Sequence, residues 1–342
     1  MLGPVMRKRF FLPAAPAGAA LPPRFAGDAP WLAPLAGYSD LPFRLLCRHY
    51  GAAVCVTEMV SAKGLVYKSP GTGELLRSLP EDQPLVVQLF GAEPEVLACA
   101  VLTLRKAGYA WFDCNMGCSV PKVMRQGSGA ALLGDPERAL ACARSMIGAA
   151  GAQGRVGFKL RLGLDRERPV LPDLALRLED AGAAWLTLHP RTARQGFGGS
   201  ADWEAIARLA GRLSIPLLAS GDLLTAKGGL RCLAETGASG VMYARGALHD
   251  PAVFAAHLAL LRGEEPAAPE PAALRAMIGL HVRLAREHGG DDGALLKMRS
   301  LVPRYVRFLP GVRLLRQRLC RCTDWQDLET ALDEFLDGEG LS

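Results

Sequence analysis

The stretch Tyr109–Val123, YAWFDCNMGCSVPKV, gathers a carboxylate, an amide, a thiol and an amine in one short span. Its apolar start, Tyr109–Phe112, reads as a buried strand. Asp113 ends that strand, and a glycine turn follows with Asn115, Gly117 and Cys118, then Pro121 and Lys122. A buried strand that delivers such groups at its C-terminal end is the layout of an α/β active site. A thiol of ordinary pKa, ~8.5, is mostly protonated at neutral pH, which makes Cys118 a candidate proton donor. Other polar groups follow other apolar runs: Gln88, Lys159, His189 and two glycine turns, Gly221-Asp222 and Ala244-Arg245-Gly246. Lys159 and Gln88 can bond the polar edge of an isoalloxazine, where a cation stabilises the negative charge of reduction. Late glycine turns expose backbone N–H groups of the kind that cradle phosphate. Together these groups point to a phosphate-bearing redox cofactor, most simply FMN.

Eight strand-like runs would have to position them: Trp31–Ala36, Ala53–Glu58, Leu85–Phe90, Tyr109–Asp113, Val156–Leu160, Ala184–Leu188, Ile215–Ala219 and Gly240–Tyr243. Helix-like Ala/Leu/Arg stretches follow most of them, as βα units require. Strand–helix alternation also permits an open doubly wound sheet. The count of eight, with polar groups after almost every run, favours a closed (β/α)8 TIM barrel. The expected domains are a disordered tail over 1–27, the barrel over 28–256, a linker over 257–271 and a helical domain over 272–342.

The chain has 342 residues, half of them hydrophobic, and a formal net charge of +6. This surplus permits a polyanionic partner without requiring one. The nine cysteines include no CxxC pair. Disulfides and a metal site are therefore not expected, and a reduced, cytoplasmic setting fits better. No apolar run reaches the ~20 residues of a membrane span. Arg7, Lys8 and Arg9 before an apolar stretch faintly resemble a signal peptide, but four interrupting prolines, at 13, 16, 22 and 23, argue against its helical core.

The segment D-C-N-M-G-C-S-V-P-K-V resembles the active-site motif of the tRNA-dihydrouridine synthases, D-x-N-x-G-C-P-x-x-K-V. Ser119 stands in place of the family's proline, and a proline appears at Pro121 instead. APLAGYSDLPFR, VTEMVSAKGL, VQLFG, KLRLG, HPRTARQGF, SGD and ARGAL also look like family segments in the right order, so the resemblance runs from about Trp31 to the end. Leu35 stands where methionine is frequent, and Tyr243-Ala244 precedes Arg245 where a small residue and glycine are usual. The resemblance implies a bacterial-type flavin enzyme that reduces specific tRNA uridines to 5,6-dihydrouridine. It implies hydride from reduced FMN to C6, a proton from Cys118 to C5, and NADPH or NADH as electron donor. The implied FMN contacts are Ala33, Pro34, Leu35, Gln88, Lys159, His189, Gly221, Asp222, Ala244, Arg245 and Gly246, with Asn115 and Arg191 facing the uracil. An FMN barrel oxidoreductase acting on a small molecule is the alternative.

Against that alternative stands the C-terminal region. Amphipathic helices are expected over Ala273–Glu287, Gly293–Phe308, Val312–Cys322 and Trp325–Leu336, and the family has a tRNA-embracing helical domain in this position. From Lys297 to Cys322 the chain carries Lys297, Arg299, Arg304, Arg307, Arg313, Arg316, Arg318 and Arg321 with no acidic residue. A solvated face normally mixes signs, so this run reads as a phosphate-contacting surface, with Lys297, Arg299 and Arg304 as candidate contacts. No obligatory protein partner is evident.

Overall fold

The computed structural model describes residues 10–266, 270–290 and 293–338. Nine strands follow in chain order: β1 (Trp31–Leu32), β2 (Val54–Val56), β3 (Val60–Ser61), β4 (Leu85–Phe90), β5 (Trp111–Met116), β6 (Arg155–Arg161), β7 (Trp185–His189), β8 (Leu217–Ala219) and β9 (Gly240–Tyr243). All pairings among them are parallel. β1 pairs with both β2 and β9, and β2 pairs with β4, which closes the circuit into a TIM barrel.

The ninth strand arises because the expected run Ala53–Glu58 is broken. β2 and β3 share β4 as partner, with Val56 opposite Val86 and Val60 opposite Leu89. The β2–β3 side thus carries one residue more than β4 between those pairs, which is a bulge. Thr57 makes it affordable. Its N–H donates to the Val86 carbonyl (3.0 Å), and its Oγ1 accepts the Gln88 N–H (3.1 Å), so a hydroxyl stands in for a ladder carbonyl. Met59, in the bulge, lines the barrel mouth, while Glu58 accepts the Gly37 N–H and meets Lys297.

Alternation along the strands sorts the remaining side chains. In β5, Phe112, Cys114 and Met116 are fully buried under the outer helices. Trp111, Asp113 and Asn115 point the other way, into the barrel. At the N-terminal end the interior is closed by aromatic rings: Trp185 lies 5.9 Å from Trp31, 6.4 Å from Trp111 and 5.4 Å from Phe25. Gly157 on β6 makes room for this plug, since a Cβ there would lie 2.0 Å from the Trp185 ring. Phe25 belongs to the segment expected as a disordered tail. From Phe10 that segment instead packs on the barrel: the Arg24 carbonyl accepts the Trp31 indole N–H (2.8 Å), and the Gly27 carbonyl meets His257 Nε2 (2.7 Å). Residues 1–9 of the expected tail lie outside the described residues.

The outer helices bury one stripe each, as Leu97, Val101 and Leu104 do in Pro94–Lys106. Helix Val253–Leu261 runs across the boundary expected at 256, with His257 fully buried against Tyr243 (2.8 Å). Four helices follow: Pro271–His288, Ala294–Tyr305, Val312–Arg321 and Trp325–Asp337. The first packs on helix Leu41–His49, where Phe43 meets His281 and His281 meets Tyr305. No helix among the described residues is long and apolar enough to cross a membrane.

Replacing Gly157 by Ala should overpack the aromatic plug and cost about 1–3 kcal/mol. A denaturant titration should show a lowered midpoint at unchanged slope.

Candidate active site

The C-terminal ends of the strands surround a cavity of about 260 Å³. Gln88, Asn115, Cys118, Lys159, His189 and Asp222 all line it, as do Ala33, Pro34, Leu35, Gly221, Ala244 and Arg245. Gly246 does not. It is buried behind the wall, where a Cβ would lie 2.5 Å from the Leu223 carbonyl, so glycine there lets two backbone segments touch.

A chain of hydrogen bonds organises the cavity floor. The Gln88 side chain is fully buried; its Nε2 donates to Asp113 Oδ2 (2.7 Å), and its Oε1 accepts from Asn115 Nδ2 (2.8 Å). Asn115 Oδ1 then accepts the N–H groups of Gly117 (3.1 Å) and Cys118 (2.9 Å). This local turn is what Asn side chains stabilise best. The Cys118 carbonyl accepts the Ala130 N–H (2.9 Å), and Arg161 Nε donates to the Gly117 carbonyl (2.8 Å). The backbone on both sides of the thiol is therefore held, while Cys118 itself stays partly exposed. Asn115 was expected in a turn facing the substrate. It is the last but one residue of β5, opposite Lys159, and its amide is engaged in orienting the Cys118 turn. Pro121, the displaced proline, opens the short helix Pro121–Met124, a position where its missing N–H costs nothing.

Two groups in the interior are shifted toward neutrality. Burial pushes the Asp113 carboxyl up to about 7, against the Gln88 hydrogen bond and the charge of Lys159. Its Oδ1 is buried without a partner among the described residues. Burial, with Arg161 nearby, pushes the Lys159 ammonium down to about 8, while Asp113 supports its charge. His189 is lowered to about 2 by burial and by Lys159, Arg161 and Arg191, so its ring is neutral. Its Nε2 lies 3.3 Å from Arg191 Nη1, and a guanidinium can only donate, which places the imidazole proton on Nδ1.

Arg191, expected to face the uracil, is engaged elsewhere. It is 1% exposed, binds Asp222 through two nitrogens (2.9 and 2.7 Å), and donates to the carbonyls of Gly198 and Gly199. Asp222, in a left-handed conformation (φ 58°), also takes Arg245 (2.9 Å) and the Ala201 N–H (2.8 Å). Next to it, Gly221 has φ 104°. The N–H groups of both residues find no acceptor among the described residues, and Arg245 stands beside them. Orphaned amides in such a turn fit an anionic oxygen group.

Two side chains of the site lie outside the expected set of contacts, although Arg161 follows the fifth apolar run. Arg161 bridges the Cys118 turn to the loop after β7 through the Thr192 and Gly196 carbonyls (both 2.9 Å). Its signal was its position two residues beyond Lys159, on the same face of the strand. Phe197 is 63% exposed at the cavity rim, stacked on His189 (6.0 Å) and under Arg245 (4.8 Å). No local pattern marks that residue.

The three cations chosen from the C-terminal run turn inward. Lys297 Nζ bridges Asp40 (2.8 Å) and Glu58 (3.4 Å), Arg304 donates to the Tyr38 hydroxyl (2.7 Å) over its ring, and Arg299 donates to the Cys322 carbonyl. They fasten the helical region internally and to the barrel mouth. Arg307, Arg313, Arg316 and Arg321 of the same run are exposed and have no acidic partner among the described residues. Those residues also hold no cluster of three or more His, Cys, Asp or Glu suited to a metal ion.

Comparison with known proteins adds the following. A family model described as "Dihydrouridine synthase (Dus)" matches residues 31–338. The chain is 35% identical to "Probable tRNA-dihydrouridine synthase 1" of Synechocystis sp. over 305 residues, 89% of this chain and 85% of that one. It is 32% identical to "tRNA-dihydrouridine synthase B" of Pseudomonas aeruginosa, over 86% of this chain and 88% of that one. Among solved structures, that of TcOYE with pHBA superposes with a TM-score of 0.51 at 11% identity, covering 75% of this chain and 96% of that one, a likeness of fold alone.

The Lys159 charge is present below about pH 8 and lost above it. Flavin affinity of the cofactor-free protein, read by quenching of flavin fluorescence, should therefore fall as pH rises through about 8. Lys159→Met should remove that limb and weaken binding about tenfold at pH 7, the scale of one charge-assisted hydrogen bond. Asp113→Asn should move the limb to lower pH, because the carboxylate supports the ammonium.

Proposed function

The chain belongs to the dihydrouridine synthase family, and from that premise we propose that it reduces specific uridines of tRNA to 5,6-dihydrouridine, using FMN held in the barrel mouth and NADPH or NADH as electron donor. The observation that carries this reading is the pinned Cys118 turn set against a cavity lined by Lys159, Gln88 and His189. The residues present suit FMN. Lys159 and Gln88 would hold the polar edge of its ring system, Ala33, Pro34 and Leu35 an apolar wall, and the orphaned amides of Gly221 and Asp222 with Arg245 its phosphate.

When bound, the flavin supplies a hydride to C6 of uracil. The uracil C5=C6 bond is conjugated with the C4 carbonyl, so its π electrons move to C5 and the carbonyl as the C6–H bond forms. Cys118 completes the reaction: its S–H bond breaks, the proton bonds C5, and the thiolate recovers a proton from water. Asn115 keeps the thiol aimed by accepting the N–H groups of Gly117 and Cys118. Among the residues lining the cavity, the cations Lys159, Arg161 and Arg245 outnumber the carboxylate Asp222, which favours negative charge developing on ring oxygens. Neutral His189 adds no further positive charge and can donate from Nδ1.

The base must leave the folded RNA to reach this depth. We assign the helical region after the barrel to tRNA binding through its exposed cations Arg307, Arg313, Arg316 and Arg321. Lys297 and Arg304 hold that region in a set orientation over the mouth. Such a substrate fits a cytoplasmic setting.

Incubating unmodified tRNA with the purified protein and NADPH should yield dihydrouridine, measured by mass spectrometry of nucleosides. Cys118→Ala should keep its flavin and its reduction by NADPH, yet lose about 10²–10⁴-fold in turnover on tRNA. Turnover near wild type in that variant would remove Cys118 from the role of acid.

A further inference from the structure

Beside the barrel mouth lies a second cavity, of about 620 Å³, that the chemistry above does not use. The two share a wall, the loop after β7. Phe197 of that loop lines the mouth, whereas Thr192, Gln195 and Ser200 line the second cavity. The volume falls within the range of about 300–1,000 Å³ typical of small-molecule sites.

Its chemistry is two-sided. Leu162, Leu171, Pro172 and Leu209 form an apolar floor able to take the face of a flat ring. The polar rim is rich in donors. Its two carboxylates are already neutralised, Asp165 by Arg168 (2.6 Å) and Arg194 (3.5 Å), and Asp202 by Arg208 (3.5 Å). Asp202 also caps helix Trp203–Ala210. Arg166 and Arg212, by contrast, have no acidic partner among the described residues. Gln195 uses its Oε1 on the Thr192 N–H (2.8 Å), which leaves its amide N–H groups to donate. Surplus donors above an apolar slab suit a ring that carries anionic oxygens.

We propose that this cavity is a second nucleotide-binding site, with the base on the leucine and proline floor and the phosphate on Arg166 and Arg212. Two sources supply that chemistry, given the function proposed above: a nucleotide neighbouring the extruded uridine in the RNA, or the adenylate half of the dinucleotide electron donor. Occupancy would be felt at the catalytic pocket. Arg161 grips the shared loop at Thr192 and Gly196 and the Cys118 turn at Gly117.

Calorimetric titration of the flavin-loaded protein with adenosine 5′-monophosphate tests the site directly. Flavin in the mouth keeps the probe out of the phosphate cradle at Gly221. Wild type should bind the probe more tightly than adenosine. The double variant Arg166→Gln with Arg212→Gln should weaken it at least tenfold, with flavin content unchanged, and Ala205→Trp, which fills the cavity, should abolish it. No binding by wild type, or binding that survives the double variant, overturns the proposal. The source is then read from kinetics of the double variant. A raised KM for NADPH in flavin reduction without RNA assigns the site to the electron donor, and a raised KM for tRNA assigns it to the RNA. No change in either overturns the site's part in the reaction. Binding of the probe does not depend on uridine reduction, so a protein that binds it here but makes no dihydrouridine would refute the proposed function and leave this site standing.

Discussion

A buried primary amide brings two donors and a strong acceptor into a place where no bulk water can satisfy them. Gln88 is such a group at the centre of a closed barrel, and its partners set the geometry of everything above it. Its donor end holds Asp113, its acceptor end holds Asn115, and Asn115 in turn holds the backbone that presents Cys118. The Gln88 N–H needs an acceptor too, and Thr57 provides one from the bulge that splits the second barrel strand. Satisfaction of one amide thus links the irregular strand, the cavity floor and the thiol turn.

The same enclosure governs charge. Lys159 and Asp113 face each other in the interior, each moved toward its neutral form by burial and back toward its charged form by the other. Around them, arginines do two different jobs. Arg161, Arg191 and Arg245 spend their donors on carbonyls and on Asp222, and so tie together the loops after β5, β7, β8 and β9. Their charge nevertheless remains at the mouth and favours an anion, and burial, Lys159, Arg161 and Arg191 together keep His189 neutral. Structural bonding and electrostatic bias come from the same side chains.

The helical region shows how helix geometry divides a uniformly basic run. Lys297, Leu301 and Arg304 lie four and three residues apart, on one face, and that face meets the barrel. The two cations are consequently drawn to Asp40, Glu58 and Tyr38. Arg307, Arg313, Arg316 and Arg321 fall beyond that contact and remain exposed. Charge composition alone treats these residues as equivalent; their place on or beyond the helix face that meets the barrel separates them.

Much of this protein was determined by local sequence. The closed barrel could be read from eight apolar runs with helices between them, because burial demands period-two strands and amphipathic helices wherever they occur. The set of groups at the strand ends could be read too, since a parallel barrel brings every C-terminal end to one face. Cys118, Lys159, Gln88 and the two glycine turns were found in that way. Tertiary structure alone decided the rest. The bulge at Thr57 depends on a hydroxyl matching a ladder position on another strand. The packing of Phe25 depends on a hollow between Trp31 and the sequence-distant Trp185. The inward turn of Arg191, Lys297, Arg299 and Arg304 depends on which acceptors reach them first. A long cation is written the same way whether it meets a phosphate or a carboxylate, and only the folded chain shows which one stands within 3 Å.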